Sequence, residues 1–294
     1  MIRAWLFGLL LILWITLHAV EARDGSDQWI RLDAPARRVV TLSPHTTELV
    51  FAVEGGDCIV GTVEWSDYPP EAKRIPRIGD ATRLDRERLL GLHPDLVIAW
   101  SGGNRLRDLD WLERRGIAVY RSDPRRLREI ADDMEAIARL LGLADKGHAA
   151  AAAFRRRLER LRQGYRDAEP FRYFYQLWPR PLTTVGGASL IGQALTLCKG
   201  ENFFARLETP SITVGREAVI SGDPDVIIAP QEKGEVHAPF TEWRRWKNLR
   251  AVAGNRLYTV PADLMHRPTP RLLDGIERLC GKIQGRQSNT HAPE

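Results

Sequence analysis

Across residues 145–168 the apolar side chains Phe154, Leu158, Leu161 and Tyr165 recur at steps of four, three and four, which places them on one stripe of a helix. The stretch has no proline and carries five consecutive alanines, Ala149 to Ala153, with many long straight-chain residues. These are the strongest helix formers. A helix of this length spans roughly 35 Å at 1.5 Å per residue. Arginines cover its other faces, and they read as a solvated surface. No nucleic-acid recognition motif accompanies them, so a nucleic-acid partner is not expected.

The pattern on either side of this helix repeats. Residues 83–100 and 212–230 each give a charged, helix-compatible stretch, a turn and a short apolar run. The turns are His93-Pro94-Asp95 and Asp223-Pro224-Asp225; the runs are Leu96 to Ala99 and Val226 to Ala229. Proline and aspartate punctuate turns, and the β-branched runs suit buried strands. The chain is therefore expected to form two similar α/β lobes, 36–144 and 169–284, joined by a single long backbone helix, 145–168. A ligand cleft lies between the lobes, and residues 285–294 form a flexible tail.

In the first lobe, 38–44 reads as a strand leading into a helix that begins near Thr46 or Thr47. Ser43 or Thr46 is placed to cap it, with Glu48 in the first turn, where negative charge is favoured. A strand over 58–62 delivers a proline-rich loop carrying Trp65 and Tyr68, aromatics that no core periodicity explains. The strand 96–100 ends at Trp100 and opens into Ser101-Gly102-Gly103-Asn104. In open parallel sheets the strand ends that lead into helices border the ligand crevice, and glycines allow close backbone approach. Trp100 and Asn104 are thus expected to face a ligand. A helix over 105–115, a strand over 117–121 and a helix over 125–141 complete the lobe. In the second lobe, 171–178 reads as a strand running into the loop 179–187, followed by a helix from Ser189 to Cys198. A strand over 256–263 enters the loop 264–271 before the last helix.

Residues 1–22 show one early positive charge at Arg3, an apolar run from Ala4 to Leu17 and small residues at Ala19 and Ala22, the three-part pattern of a cleaved export signal. An uncleaved anchor is the competing reading. The formal charge of +5 does not change if Arg3 and Glu21 are both removed. In an exported chain a disulfide between Cys198 and Cys280, near helix ends of the same lobe, is expected, leaving Cys58 as a free thiol. Such a loop of about 80 residues contributes on the order of 4 kcal/mol in a chain-entropy account. No Walker loop, dinucleotide fingerprint, His-Glu-x-x-His motif or Gly-x-Ser-x-Gly elbow is present. That favours a binding protein over an enzyme, with an exported α/β enzyme as the alternative of a different class. No catalytic residues, cofactor or metal centre are expected.

The segments RVVTLSPHTTELVFAVEG, WSDYPPEAKRIP, HPDLVIAWSGGN, VGGASLIGQALTLCKGENFF and GDPDVIIA closely resemble the periplasmic vitamin B12 (cobalamin)-binding proteins of bacterial ABC importers, of the helical-backbone class. The resemblance spans about residues 36–283. It implies two lobes on one backbone helix that move little on ligand binding, a disulfide in the second lobe, and a free monomer that delivers its ligand to an inner-membrane permease dimer. It further implies a wall of Trp65, Tyr68, Trp100, Gly102, Gly103 and Asn104, an opposite side formed by Trp178 and the 179–187 loop, and rim bonds from Asp263 and Arg267. Transporter docking falls to Glu217 and, because Pro76 occupies the usual first-lobe position, to Glu71. Haem or an iron-siderophore is the competing ligand on the same scaffold, with His45 and His266 as candidate ligands to cobalt or haem iron.

Overall fold

The computed structural model describes residues 19–80, 83–231 and 239–285. The expected signal up to residue 18 and the expected tail from 286 onward lie outside the described residues.

The first described element is an antiparallel hairpin of β1 (Val20–Arg23) and β2 (Trp29–Leu32). Ala22 is buried in the first-lobe core, and the Gly25 amide donates to the Arg121 carbonyl at 2.7 Å. A boundary at 22 therefore falls inside a paired strand, and the lobe begins with the hairpin rather than at 36.

The first lobe follows in the order β3 (Val39–Thr41), α1 (Pro44–Ala52), β4 (Ile59–Gly61), α2 (Arg86–Gly91), β5 (Leu96–Trp100), α3 (Leu106–Glu113), β6 (Ala118–Ser122) and α4 (Glu129–Leu140). The four strands pair in the order β4-β3-β5-β6, all parallel. Period-two alternation splits the core. Val39, Leu96 and Ile98 pack on the side of α1 and α4, whereas Val40, Val97 and Ala99 pack with Leu89, Leu109 and Leu112 of α2 and α3. The helix expected to begin at Thr46 or Thr47 starts at Pro44, whose fixed φ suits a first helical position, and Ser43 is the cap, accepting from the Thr46 amide. Glu48 therefore lies beyond the first turn.

The backbone helix, α5 (Ala144–Gly164), ends four residues earlier than the pattern predicts, with Tyr165 leaving helical geometry as its C-cap. Phe154, Leu158 and Leu161 form its buried stripe, with Tyr165 buried just beyond. Gly147 lets α5 approach α4 closely, because a Cβ there would overlap the Ala138 side chain. The arginine faces are less solvent-bound than their composition implies. Arg155 pairs with Asp132 and Glu135 of α4, each at 2.7 Å. Arg157 reaches Asp274 at 2.5 Å and Glu277 at 2.6 Å in the last helix, so neighbouring arginines tie the spine to both lobes.

The second lobe comprises β7 (Phe171–Pro179), β8 (Leu182–Val185), α6 (Leu190–Thr196), β9 (Gly200–Asn202), β10 (Ser211–Thr213), α7 (Arg216–Gly222), β11 (Val226–Gln231), α8 (Arg250–Ala253), β12 (Leu257–Pro261), α9 (Ala262–Met265) and α10 (Leu272–Ile283). Here β9, β7, β11 and β12 are parallel, while β8 and β10 add an antiparallel edge in the order β10-β8-β7-β11-β12. The lobes are thus similar at their centres and different at one edge. Their shared Pro-Asp turns have a shared task. Asp95 accepts the amides of Arg37 and Arg38 just before β3, and Asp225 accepts the amide of Arg172 at the start of β7. Cys198 and Cys280 form the expected disulfide between the end of α6 and α10, and Cys58 is free.

Candidate functional site

Both sheets carry their working residues at the C-terminal edge of their parallel strands, and ion pairs bring those two edges together. Glu48 of α1 follows β3, and Asp67 follows β4. Arg267 and Arg271 follow β12 in the other lobe. Arg267 Nη1 lies 2.9 Å from Glu48 Oε1 and 3.5 Å from Asp67 Oδ1, and its Nη2 reaches Asp263 Oδ1 at 2.7 Å. Arg271 Nη1 meets the same Glu48 oxygen at 3.1 Å. Only 2% of the Glu48 side chain is exposed. Its burial raises the carboxyl pKa, opposed by the two guanidiniums. Glu48 is therefore an interlobe contact and not a helix-start charge.

Above this network stand the aromatics of the first lobe. Trp65 is 77% exposed and holds a left-handed backbone, φ 67°, a conformation that bulky side chains adopt rarely and at a cost. Its carbonyl accepts from Arg267 Nη2 at 3.2 Å, and the next carbonyl, of Ser66, accepts from Arg77 at 2.8 Å. Tyr68 is exposed, and the Arg271 guanidinium lies 3.7 Å from the centre of its ring. Trp100 closes β5, exposed on one side and packed on the edge of the His45 ring, with centroids 5.5 Å apart and planes perpendicular.

The turn after Trp100 supports that indole from below. A Cβ at Gly103 would overlap the indole ring, so the glycine is required for the chain to pass beneath it. Asn104 is buried and does not face the cleft. Its Oδ1 accepts the Trp100 amide at 2.7 Å, and its Nδ2 donates to the Leu42 carbonyl at 2.9 Å, joining the ends of β5 and β3. The close approach expected for a ligand at Gly102 and Gly103 is made by the protein's own tryptophan.

Beneath Trp100 runs a buried polar chain. The hydroxyls of Tyr120 and Ser122 each donate to Asp133 at 2.6 Å. With its proton so directed, Ser122 Oγ accepts from His45 Nε2 at 3.3 Å, and His45 Nδ1 is left to accept from Ser43 at 3.0 Å. Burial, with the Arg267 charge adding to it, pushes His45 down to about 3. Burial also raises Asp133 to about 6, against the hydrogen bonds from Ser122 and Tyr120. Both His45 nitrogens thus have hydrogen-bond partners within the protein. His266 is bonded through Nε2 to the Tyr175 hydroxyl at 3.0 Å, and burial lowers it to about 4, opposed by Asp263. Among the described residues no group of three or more His, Cys, Asp or Glu side chains is placed to hold a metal ion.

In the second lobe, Trp178 stands exposed beyond a register shift at the end of β7. It borders a cavity of about 930 Å³ with Pro179, Val214, Arg216, Glu217 and Pro230, within the size range of small-molecule pockets. The buried Trp243 backs it, its Nε1 donating to Gln176 at 2.7 Å. Glu217, expected on a docking surface, is exposed in the first turn of α7 and also lines this cavity. Glu71 is exposed in the 3-10 turn Pro70–Arg74.

Sequence reasoning named Asp263 and Arg267 but missed Glu48, which pairs with Arg267, and Arg271, which shares that carboxylate and covers Tyr68. The signal was faint: one glutamate among the apolar residues of a buried helix, and one arginine ending a proline-rich loop.

The comparisons with known proteins agree with this architecture. The periplasmic binding protein family matches residues 39–264. A vitamin B12-binding protein of Vibrio cholerae is 38% identical over 247 residues, covering 84% of this chain and 88% of the relative. The crystal structure of the periplasmic vitamin B12 binding protein BtuF of Vibrio cholerae superposes with a TM-score of 0.78, covering 86% of this chain and 99% of that one. A periplasmic haem-binding protein from Pseudomonas aeruginosa, 21% identical with a TM-score of 0.74 over 85% of this chain and 93% of its own, shares the fold. With two α/β lobes on one backbone helix and this match along most of its length, the chain belongs to the periplasmic binding protein family.

Proposed function

We propose that the chain captures cobalamin, or a related corrinoid, between its lobes and delivers it to an ABC importer of the inner membrane. The observation that carries this reading is the exposed aromatic set Trp65, Tyr68 and Trp100 at the strand ends of one lobe. Trp178 and its cavity extend the site on the other lobe. Corrin is wide, flat and rimmed by amides; aromatic faces suit the ring, and a few polar groups suit the rim. Asp263 and Arg267 are the rim partners. Relatives named for vitamin B12 binding, 36–38% identical over most of the chain, support the reading. The ligand is cargo, released unchanged, and the chain acts as a binder without a covalent step. It works in the periplasm as a monomer until it meets the permease, with Glu71 and Glu217 as docking residues.

Calorimetric titration of the purified mature chain with cyanocobalamin tests the proposal, with haemin and a ferric siderophore run in parallel. The expected result is saturable one-to-one binding of cyanocobalamin that weakens about tenfold, 1.4 kcal/mol, in Trp100→Ala. Saturation by haemin with no response to cyanocobalamin would overturn the ligand while keeping the fold.

A further inference from the structure

The first lobe's aromatic loop is also contacted from the opposite lobe. Trp65, with its left-handed backbone, and the exposed Tyr68 lie at the outer end of a loop whose base their own lobe anchors through the buried Ala72 and through Arg77, which donates to the Ser66 and Ala72 carbonyls. What reaches the two aromatic residues from the other lobe is a chain of contacts that begins at the buried Glu48. One carboxylate oxygen takes both Arg267 and Arg271. Arg267 then reaches on to the Trp65 carbonyl and to Asp67, while Arg271 lays its guanidinium over the Tyr68 ring.

We propose that Glu48 and Arg271 are positioning residues for the ligand wall: Glu48 sets the place of Arg271 across the interlobe gap, and Arg271 holds one face of Tyr68 so that the other is presented flat to the ligand. The assignment deepens the corrinoid reading of the cleft and, in its ligand arm, rests on it. Neither residue needs to touch the ligand. The chemistry favours this division of labour. A guanidinium is planar and permanently charged, and it can donate a hydrogen bond to a carboxylate from one edge while stacking on an aromatic face. A buried ion pair is a weak source of net stability, and the pairing of Arg267 with the same Glu48 oxygen keeps that carboxylate compensated when Arg271 is replaced. A wall organised in this way loses little freedom when the ligand arrives, which favours tight binding. It also ties wall geometry to lobe spacing, because the wall and its support come from different lobes.

Hydrogen exchange of the 64–75 segment, read by mass spectrometry beside cyanocobalamin titration, separates the possibilities. The proteins compared are wild type, Arg271→Met, Arg271→Lys and Glu48→Gln, the last retaining side-chain shape. In Arg271→Met exchange of the segment should accelerate about tenfold and affinity fall about tenfold, 1.4 kcal/mol. Arg271→Lys should recover only part of both, because lysine keeps the charge and lacks the planar fork. Glu48→Gln should move both readouts in the same direction by less. Unchanged exchange in Arg271→Met overturns the proposal, and a fall in affinity without faster exchange overturns it too, by making Arg271 a direct ligand contact. If the wild type fails to bind cyanocobalamin, the ligand reading fails, and the exchange comparison alone decides whether the clamp exists.

Discussion

His45 and Asp133 lie one serine apart beneath Trp100, and burial shifts them in ways that act oppositely on stability. His45 is lowered from 6.5 to about 3, so its neutral form is favoured by folding. Its stabilising contribution is complete above pH 6.5 and is lost as pH falls toward 3. Asp133 is raised from 3.8 to about 6. Its contribution is present below 3.8 and is lost as pH rises through 6, a difference of about 3 kcal/mol for two pKa units. Between pH 6 and 4 the two therefore offset one another. The groups facing them are Ser43, Tyr120, Ser122 and the Arg267 charge, with Asp132 and Asp123 adding to the Asp133 shift. Urea unfolding from pH 7.5 to 4 should show a steeper acid loss in Asp133→Asn than in wild type, and a shallower one in His45→Asn. Identical slopes in all three would refute this account. Asn104 carries a related lesson. Its place in a Gly-Gly-Asn turn was legible, yet whether its amide turned outward or inward depended on the Leu42 carbonyl of another strand.

At the scale of elements, the hairpin of β1 and β2 discriminates between the two cleavage points that the expected export signal offers. Two small residues, Ala19 and Ala22, fit a processing boundary equally well by composition. Cleavage after Ala22 would remove three of the four paired residues of β1 and take the buried Ala22 out of the core. Cleavage after Ala19 leaves the strand whole. Intact-mass analysis of the exported protein should give Val20 as the first residue; a mass starting at Arg23 would show that β1 is dispensable. The spine helix follows the same logic of context over composition. Its apolar stripe is where the spacing put it, but Arg155 and Arg157 belong to ion pairs whose partners lie on α4 and α10.

For the whole molecule, the relation between the parts rests on a few covalent and ionic contacts. Arg157 joins the spine to α10, the Cys198–Cys280 disulfide joins α6 to α10, and the Glu48 network joins the two strand-end surfaces. Glu217 sits where the second-lobe cavity meets the outer surface. Charge pairs at the rim of an interface govern encounter and orientation more than bulk affinity. Glu217→Lys, loaded with saturating cyanocobalamin, should therefore lower permease-complex formation in reconstituted membranes at least tenfold. A large loss of cyanocobalamin affinity would move Glu217 from the docking surface into the ligand site.

The sequence by itself determined the two-lobe order, the spine, the Pro-Asp turns and the exposed aromatics. Each of these is written in a short window, as an apolar period, a turn residue, or an aromatic that no period accounts for. The cysteine pairing was also legible, because helix ends and export narrowed the choices. Tertiary structure alone decided that Glu48 is an interlobe contact, that Asn104 points inward, that Gly103 makes room for Trp100, and that one sheet gains an antiparallel edge. Glu48 is separated from Arg267 by 219 residues and from Arg271 by 223, and no local pattern reports such a distance. Those contacts exist because the folded lobes bring charges together in a space that water leaves, where only a partner of opposite charge makes burial tolerable.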